Sequence, residues 1–192
     1  MSVGRAFLWI IPVLLGQMGY SQDQEKPSAG TYLGISAGFS PVTLGQSSFL
    51  FDAGARVLRV DNNQSFSLSY SRVFDFQLKF DSGAKDDDSK MDRLELTYGR
   101  MTCLSEGHKL FRHIFVGASV GISYNSIRYY KDMLSFDQGN AINVKKIGIP
   151  VGVTLTNSPG NSIFWGYEIK YHLISGGLSY PEFNVCASFN VN

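Results

Sequence analysis

No stretch of this chain approaches the roughly 20 consecutive apolar residues that a membrane-spanning helix needs. The longest apolar run, Ala6 to Leu15, is about half that length. It follows Arg5, the only charge in the first 21 residues, and the small residues Gly19 and Ser21 bracket a cleavage point before Gln22. That is the arrangement of an export signal, expected over residues 1–21, with a short leader over 22–30. No cysteine stands near the cleavage point, so a lipid anchor is not expected.

Cysteine is scarce: Cys103 and Cys186 are the only two. They exclude a disulfide framework and a cysteine-rich metal centre, and the sequence leaves open whether they pair or stand apart. His108 and His113 lack a cysteine or carboxylate in ligand spacing. Asp86-Asp87-Asp88 lacks the order of a calcium loop and is flanked by Lys85 and Lys90, so a solvated loop is expected there. Neither a metal nor a cofactor is expected. Charge of one sign is missing too: 17 Lys+Arg face 16 Asp+Glu, and removal of Arg5 would balance them. A chain without basic excess has no means of holding a phosphate backbone, which excludes nucleic acid as a partner.

What the chain does have is alternation. Val116-Gly117-Ala118-Ser119-Val120-Gly121-Ile122-Ser123-Tyr124 has the period of two of a strand with one apolar face. Its polar partners are small and uncharged, which fits the crowded inside of a narrow barrel better than a surface in water. The apolar face then looks outward into lipid. Eight such segments are expected, at about 31–40, 48–60, 65–76, 93–99, 111–125, 147–155, 163–172 and 183–191. Asp61-Asn62-Asn63-Gln64 reads as a tight hairpin, and Pro150, which cannot donate a ladder hydrogen bond, predicts a bulge in the sixth strand. Connections 81–92 and 126–145 read as long loops, and the stretch through Gly176, Gly177 and Pro181 as a moderate one. The expectation is an all-β chain with one domain at 31–192, an eight-stranded antiparallel up-and-down transmembrane β-barrel.

In that register Asp52, Arg56, Arg93, Glu95, Glu168 and Lys170 point into the lumen, where opposite charges must find one another. Inward glycines on the first, fifth and sixth strands leave room for them. On the outward register Tyr70, Phe74, Tyr98, Tyr124, Trp165, Tyr167 and Tyr171 are candidates for interfacial aromatic belts. An eight-stranded lumen is just wide enough for side chains to fill, which argues against a diffusion pore.

Signal, alternating strands and an aromatic final strand together resemble the small outer-membrane β-barrel proteins of Gram-negative bacteria, the class of the OmpA-type and OmpX-type barrels. The resemblance implies a bacterial outer-membrane location, a monomer in contact with lipid and lipopolysaccharide, and assembly by the barrel-insertion machinery, which commonly reads a terminal aromatic residue. Here the last aromatic is Phe189. It also implies a structural or binding role, without catalysis, through the outward loops 81–92 and 126–145. Two alternatives stand beside it. His172, Ser175 and Glu182 are the residue types of outer-membrane lipid A deacylases, although a spacing of three puts His172 and Ser175 on opposite faces of an extended strand. A secreted lipocalin-like barrel would turn the same apolar face inward around a ligand.

Overall fold

The computed structural model describes residues 29–40, 49–76, 90–103, 114–130, 141–157, 163–176 and 178–191. The expected export signal, nearly all of the leader, Asp86-Asp87-Asp88, His108 and His113 lie outside the described residues. Eight strands follow in chain order: β1 (Gly30–Ser40), β2 (Phe49–Asp61), β3 (Gln64–Phe76), β4 (Lys90–Cys103), β5 (Ile114–Tyr130), β6 (Ala141–Asn157), β7 (Ile163–Ile174) and β8 (Leu178–Asn190). Each pairs antiparallel with its neighbour in sequence, and β8 pairs with β1, which closes the barrel. Closure leaves no exposed sheet edge around the circuit and satisfies the backbone internally, as a β structure in lipid must.

The register fixes the barrel's shape. Phe39 pairs with Phe183, and the circuit continues through Ile169, Val153, Ala118, Arg100, Gln64 and Asp61, which stands one step beyond the Gly30–Val60 pair and so falls level with position 29. One turn therefore displaces the register by ten residues, from 39 to 29. For eight strands this stagger corresponds to a tilt of about 40°. The β1–β8 seam closes tightly because β1 carries glycines there. A Cβ on Gly34 would strike Ser188 and the Ala187 carbonyl, and one on Gly38 would strike Asn184 and the Phe183 carbonyl.

Apolar side chains cover the outside. Ile35, Leu96, Ile122 and Ile147 are 62%, 58%, 64% and 63% exposed, with Leu33, Leu68, Leu94, Ile149 and Val185 beside them. Such a band would be insoluble as a water-facing surface. It rules out the lipocalin-like alternative, whose apolar face would line the interior. Ala118 and Val151 share the outward register yet are buried, because larger neighbours on adjacent strands cover them: Arg100 and Val153 flank Ala118, and Val120 and Tyr171 flank Val151. Tyr70, Phe74, Tyr98, Tyr124, Trp165 and Tyr167 are all exposed on this outer face, and Tyr171 is half-buried there. Phe66–Tyr98 and Trp165–Tyr167 ring pairs lie toward the end bearing the Asn62-Asn63 turn, and a stacked Phe39–Phe183 pair toward the other, the loop end.

Several boundaries differ from the sequence reading. β5 and β6 pair from Ser126 with Lys145 out to Tyr130 with Ala141, so half of the expected loop 126–145 is strand, and β4 takes Lys90 to Asp92 from the loop expected at 81–92. β5 is described from Ile114, and the expected start at Phe111 lies outside the described residues. β8 begins at Leu178, so Pro181 lies within a strand, opposite Tyr171. The β7–β8 connection shrinks to Ser175, Gly176 and residue 177, with Gly176 at φ 87° and the Ser175 N–H donating to the Ile147 carbonyl at 2.9 Å. Pro150 makes no bulge. The β5–β6 register is the same on both sides, Val120 with Val151 and Ser123 with Gly148, and only the ladder between them is interrupted. Proline removes a donor without needing an inserted residue. Asn62, at φ 52°, makes the hairpin between paired Asp61 and Gln64; asparagine tolerates this left-handed conformation.

Placing a charge on the outer band tests the assignment of faces. Ile122→Arg is expected to lower the unfolding free energy of the barrel refolded in lipid vesicles by about 2–4 kcal/mol, read by urea titration. Arg59→Ala, near the turn end, is expected to change it by less than about 0.5 kcal/mol. Equal effects would contradict the lipid-facing assignment.

Candidate functional site in the barrel lumen

The inward register gathers the charges that sequence alternation placed inside. Arg93 on β4 reaches across the lumen to β8, the strand opposite it, and meets Glu182 through both terminal nitrogens, at 2.5 and 2.9 Å. Its Nη2 also donates to Asp52 Oδ2 on β2 at 3.0 Å, its Nη1 donates to the Tyr180 hydroxyl at 3.0 Å, and its Nε lies 3.7 Å from Glu95. Lys170 on β7 bridges Glu95 at 2.5 Å and Glu168 at 3.3 Å, and Arg56 extends the chain to Glu168 at 3.9 Å. All six predicted lumen charges, Asp52, Arg56, Arg93, Glu95, Glu168 and Lys170, are thus connected in one buried network.

Sequence reading missed several participants. Glu182 entered only as part of a hydrolase alternative, because β8 was expected to start later, yet it is the main partner of Arg93. Asn184 donates to Glu182 at 2.5 Å, and Arg56 donates to the Ser188 hydroxyl at 3.2 Å. His172 is fully buried, its ring stacked on Tyr180 with centroids 4.8 Å apart. Its Nε2 lies 3.2 Å from both Arg93 Nη1 and Glu182 Oε2. Its Nδ1 faces Glu95 Oε2 at 4.0 Å, and neither of these two atoms has a hydrogen-bond partner among the described residues. Four carboxylates, at 52, 95, 168 and 182, face three permanent cations, at 56, 93 and 170, and His172 supplies the fourth positive charge when protonated. A signal for Glu182 was present, since Glu182, Asn184, Cys186 and Ser188 continue the inward period of two.

Apolar layers close the lumen on both sides of this network. Leu50, Val73, Met91, Ile127, Ile174 and Tyr180 form a buried cluster toward the loop end. Each is the next inward residue beyond Asp52, Ser71, Arg93, Asn125, His172 or Glu182 on its own strand. Toward the turn end Tyr32, Leu58, Val60 and Phe164 form a second cluster, in which the Tyr32 and Phe164 rings meet edge to face at 4.8 Å. The two layers flank the ion pairs along the barrel axis. Cys103 and Cys186 are both buried and form no disulfide, and the Cys186 thiol donates to Glu168 Oε2 at 3.9 Å. Among the described residues no group of His, Cys, Asp and Glu could hold a metal ion.

No protein-family model matches the sequence, and no curated protein matches it. Its fold does match solved structures. Neisserial surface protein A aligns over 88% of this chain and all of its own at a TM-score of 0.59 and 10% identity. Ail, the attachment invasion locus protein of Yersinia pestis, solved in complex with the heparin analogue sucrose octasulfate, covers 87% of the chain and all of its own at 0.55 and 11%. The N-terminal β-barrel domain of Pseudomonas aeruginosa OprF covers 85% of the chain and all of its own at 0.51 and 11%. At such identities the likeness establishes a shared fold, that of the small eight-stranded outer-membrane barrels.

A buried charge stripped of its partner is far more costly than a surface one. Arg93→Met leaves Asp52, Glu95 and Glu182 facing one another, and is expected to destabilise the refolded barrel by about 3–5 kcal/mol. Arg72→Met removes an exposed outer-face pair with Asp92 and should cost less than about 1 kcal/mol. Urea unfolding of both variants in lipid vesicles checks the difference, and similar costs would contradict the network's role.

Proposed function

We propose that this chain is an integral, non-enzymatic barrel of the bacterial outer membrane, exported on residues 1–21, whose lumen is a closed structural plug and whose contacts are made at its loop end. The carrying observation is the conjunction of a lipid-compatible outer band with an ion network sealed between two apolar layers. A lumen built this way conducts little, because any solute would have to displace paired charges and both layers. The membrane commits the wall to lipid and the network commits the interior to itself, which leaves the loop end to meet other molecules. Residues 81–92 and 126–145 remain the regions of contact; 90–92, 126–130 and 141–145 are strand ends, and the rest of both stretches lies outside the described residues.

The hydrolase alternative loses its support in the geometry of His172. A general base must reach both nucleophile and substrate, but His172 is fully buried and its ring nitrogens face Arg93, Glu182 and Glu95. Ser175 lies exposed in the β7–β8 turn.

Planar-bilayer recording with refolded protein is expected to show no large, stable conductance, whereas steady open-channel current from the intact barrel would overturn the closed-lumen reading. Mass spectrometry of lipid A from cells with and without the protein is expected to show unchanged acyl chains. A loss of chains that disappears with His172→Ala would restore the enzyme.

A further inference from the structure

The lumen network is one positive charge short, since Asp52, Glu95, Glu168 and Glu182 face only Arg56, Arg93 and Lys170 as permanent cations. The fully buried ring of His172 on β7 is where a fourth positive charge can sit, and its two nitrogens have different surroundings. Arg93 Nη1 has two hydrogens, and the Tyr180 hydroxyl and Glu182 Oε2, at 3.0 and 2.5 Å, accept both. None is left for His172 Nε2, although the two nitrogens lie 3.2 Å apart. Nε2 must therefore be a donor itself, to Glu182 Oε2 at 3.2 Å. On the other side of the ring Nδ1 faces Glu95 Oε2 at 4.0 Å, and both atoms are buried with no hydrogen-bond partner among the described residues. A neutral ring would turn its lone pair toward this carboxylate oxygen. Neighbouring strands supply no other cation to the gap. Pro150 stands opposite His172 on β6, Ser123 and Asn125 line β5, and Asp52 on β2 is bound to Arg93. Lys170, the next inward residue on β7, is taken by Glu95 Oε1 and Glu168, and Lys146 on β6 has its amine beside Gly176 at the loop end.

We infer that His172 is held as an imidazolium and that this one buried proton locks the lumen, which makes the plug a pH-dependent latch. The inference rests on the closed-lumen reading above. With a proton on Nδ1, four carboxylates face four cations, Nε2 keeps its bond to Glu182, and Nδ1 attracts Glu95 Oε2 instead of opposing it. At 4.0 Å the gain is coulombic, and between two fully buried groups it is much stronger than at a surface. The Tyr180 ring, stacked on the imidazole with centroids 4.8 Å apart, gives the charge an aromatic face to rest on. Without the proton the lumen keeps one uncompensated negative charge, and the hold of β7 on β4 through His172 and Glu95 becomes a repulsion. The sign of the pH effect follows. Histidine in an unfolded chain titrates near about pH 6.5. A proton retained by the assembled network alone therefore stabilises the barrel most at about pH 6 and below, and its contribution is lost as the pH rises toward about 9.

The test uses untagged full-length protein with His108→Gln and His113→Gln, which leaves His172 as its one histidine. The protein is isotope-labelled at the ring nitrogens, refolded in lipid bilayers and read by NMR. At about pH 7.5, where a free histidine is about nine-tenths neutral, both ring nitrogens of His172 are expected to give the signal of protonated nitrogen. A signal from an unprotonated ring nitrogen at that pH would overturn the inference. The second readout is urea unfolding in vesicles of this protein, with and without His172→Gln, at about pH 6 and about pH 9. With His172 in place the unfolding equilibrium constant is expected to rise at least about tenfold from the lower to the higher pH, and with His172→Gln by less than about twofold. The same pH dependence in both proteins, or none in either, would overturn the latch. If His172→Gln does not fold, the nitrogen signals decide alone. Planar-bilayer recording separates the two levels: a non-conducting barrel with a neutral His172 defeats this inference only, and steady current from the intact barrel defeats the closed-lumen reading and this inference with it.

Discussion

The guanidinium of Arg93 is the interaction on which the interior depends. It spans from β4 to the opposite strand β8, takes both oxygens of Glu182, and still reaches Asp52 on β2. A barrel of eight strands has too little interior volume for a hydrocarbon core of ordinary size, so something else must hold opposite walls in place. A planar group with five donors in fixed directions is suited to this, because it can join three strands without being able to lose its charge. Lys170 and Arg56 then carry the linkage around the remaining wall. The inward glycines on β1, β5 and β6 follow from the same constraint, since long side chains crossing the lumen need space on the facing strands.

Burying so many charges is unfavourable unless water is kept from competing and each charge finds its partners. The apolar layers above and below the network supply the first condition, and inward serines, asparagines and Tyr180 help with the second. This explains why the lumen changes character along the barrel axis, from apolar to ionic and back to apolar, while the outer face changes from aromatic through aliphatic to aromatic. The two patterns meet at the strand ends. There both faces carry apolar residues, and the strict alternation that identifies a strand fades.

That fading accounts for what was legible in the sequence and what was not. In the middle of each strand, small polar residues facing inward and large apolar ones facing outward gave the correct faces for Asp52, Arg93, Glu95, Glu168 and Lys170. Near the loop end the inward residues become Met91, Ile127, Ile174 and Tyr180. Segments such as Ser126–Tyr130 and Leu178–Glu182 then lose their contrast and read as loop. The cost was concrete: with β8 begun too late, Glu182 fell outside the expected lumen and His172 was weighed as a catalytic base when it is a buried member of the ion network. Pro150 differs for another reason: its missing donor interrupts the ladder without inserting a residue, so the register passes through it unchanged.

Opposite walls are joined through the lumen by the Arg93–Glu182 pair. A double-mutant cycle measures this most directly: Arg93→Met, Glu182→Gln and the combined variant, each refolded in lipid vesicles and unfolded in urea. A coupling of at least about 1.5 kcal/mol is expected, with the double variant more stable than the sum of the single losses implies. Additive losses, with coupling below about 0.5 kcal/mol, would contradict it and would mean that the barrel is held by its wall alone.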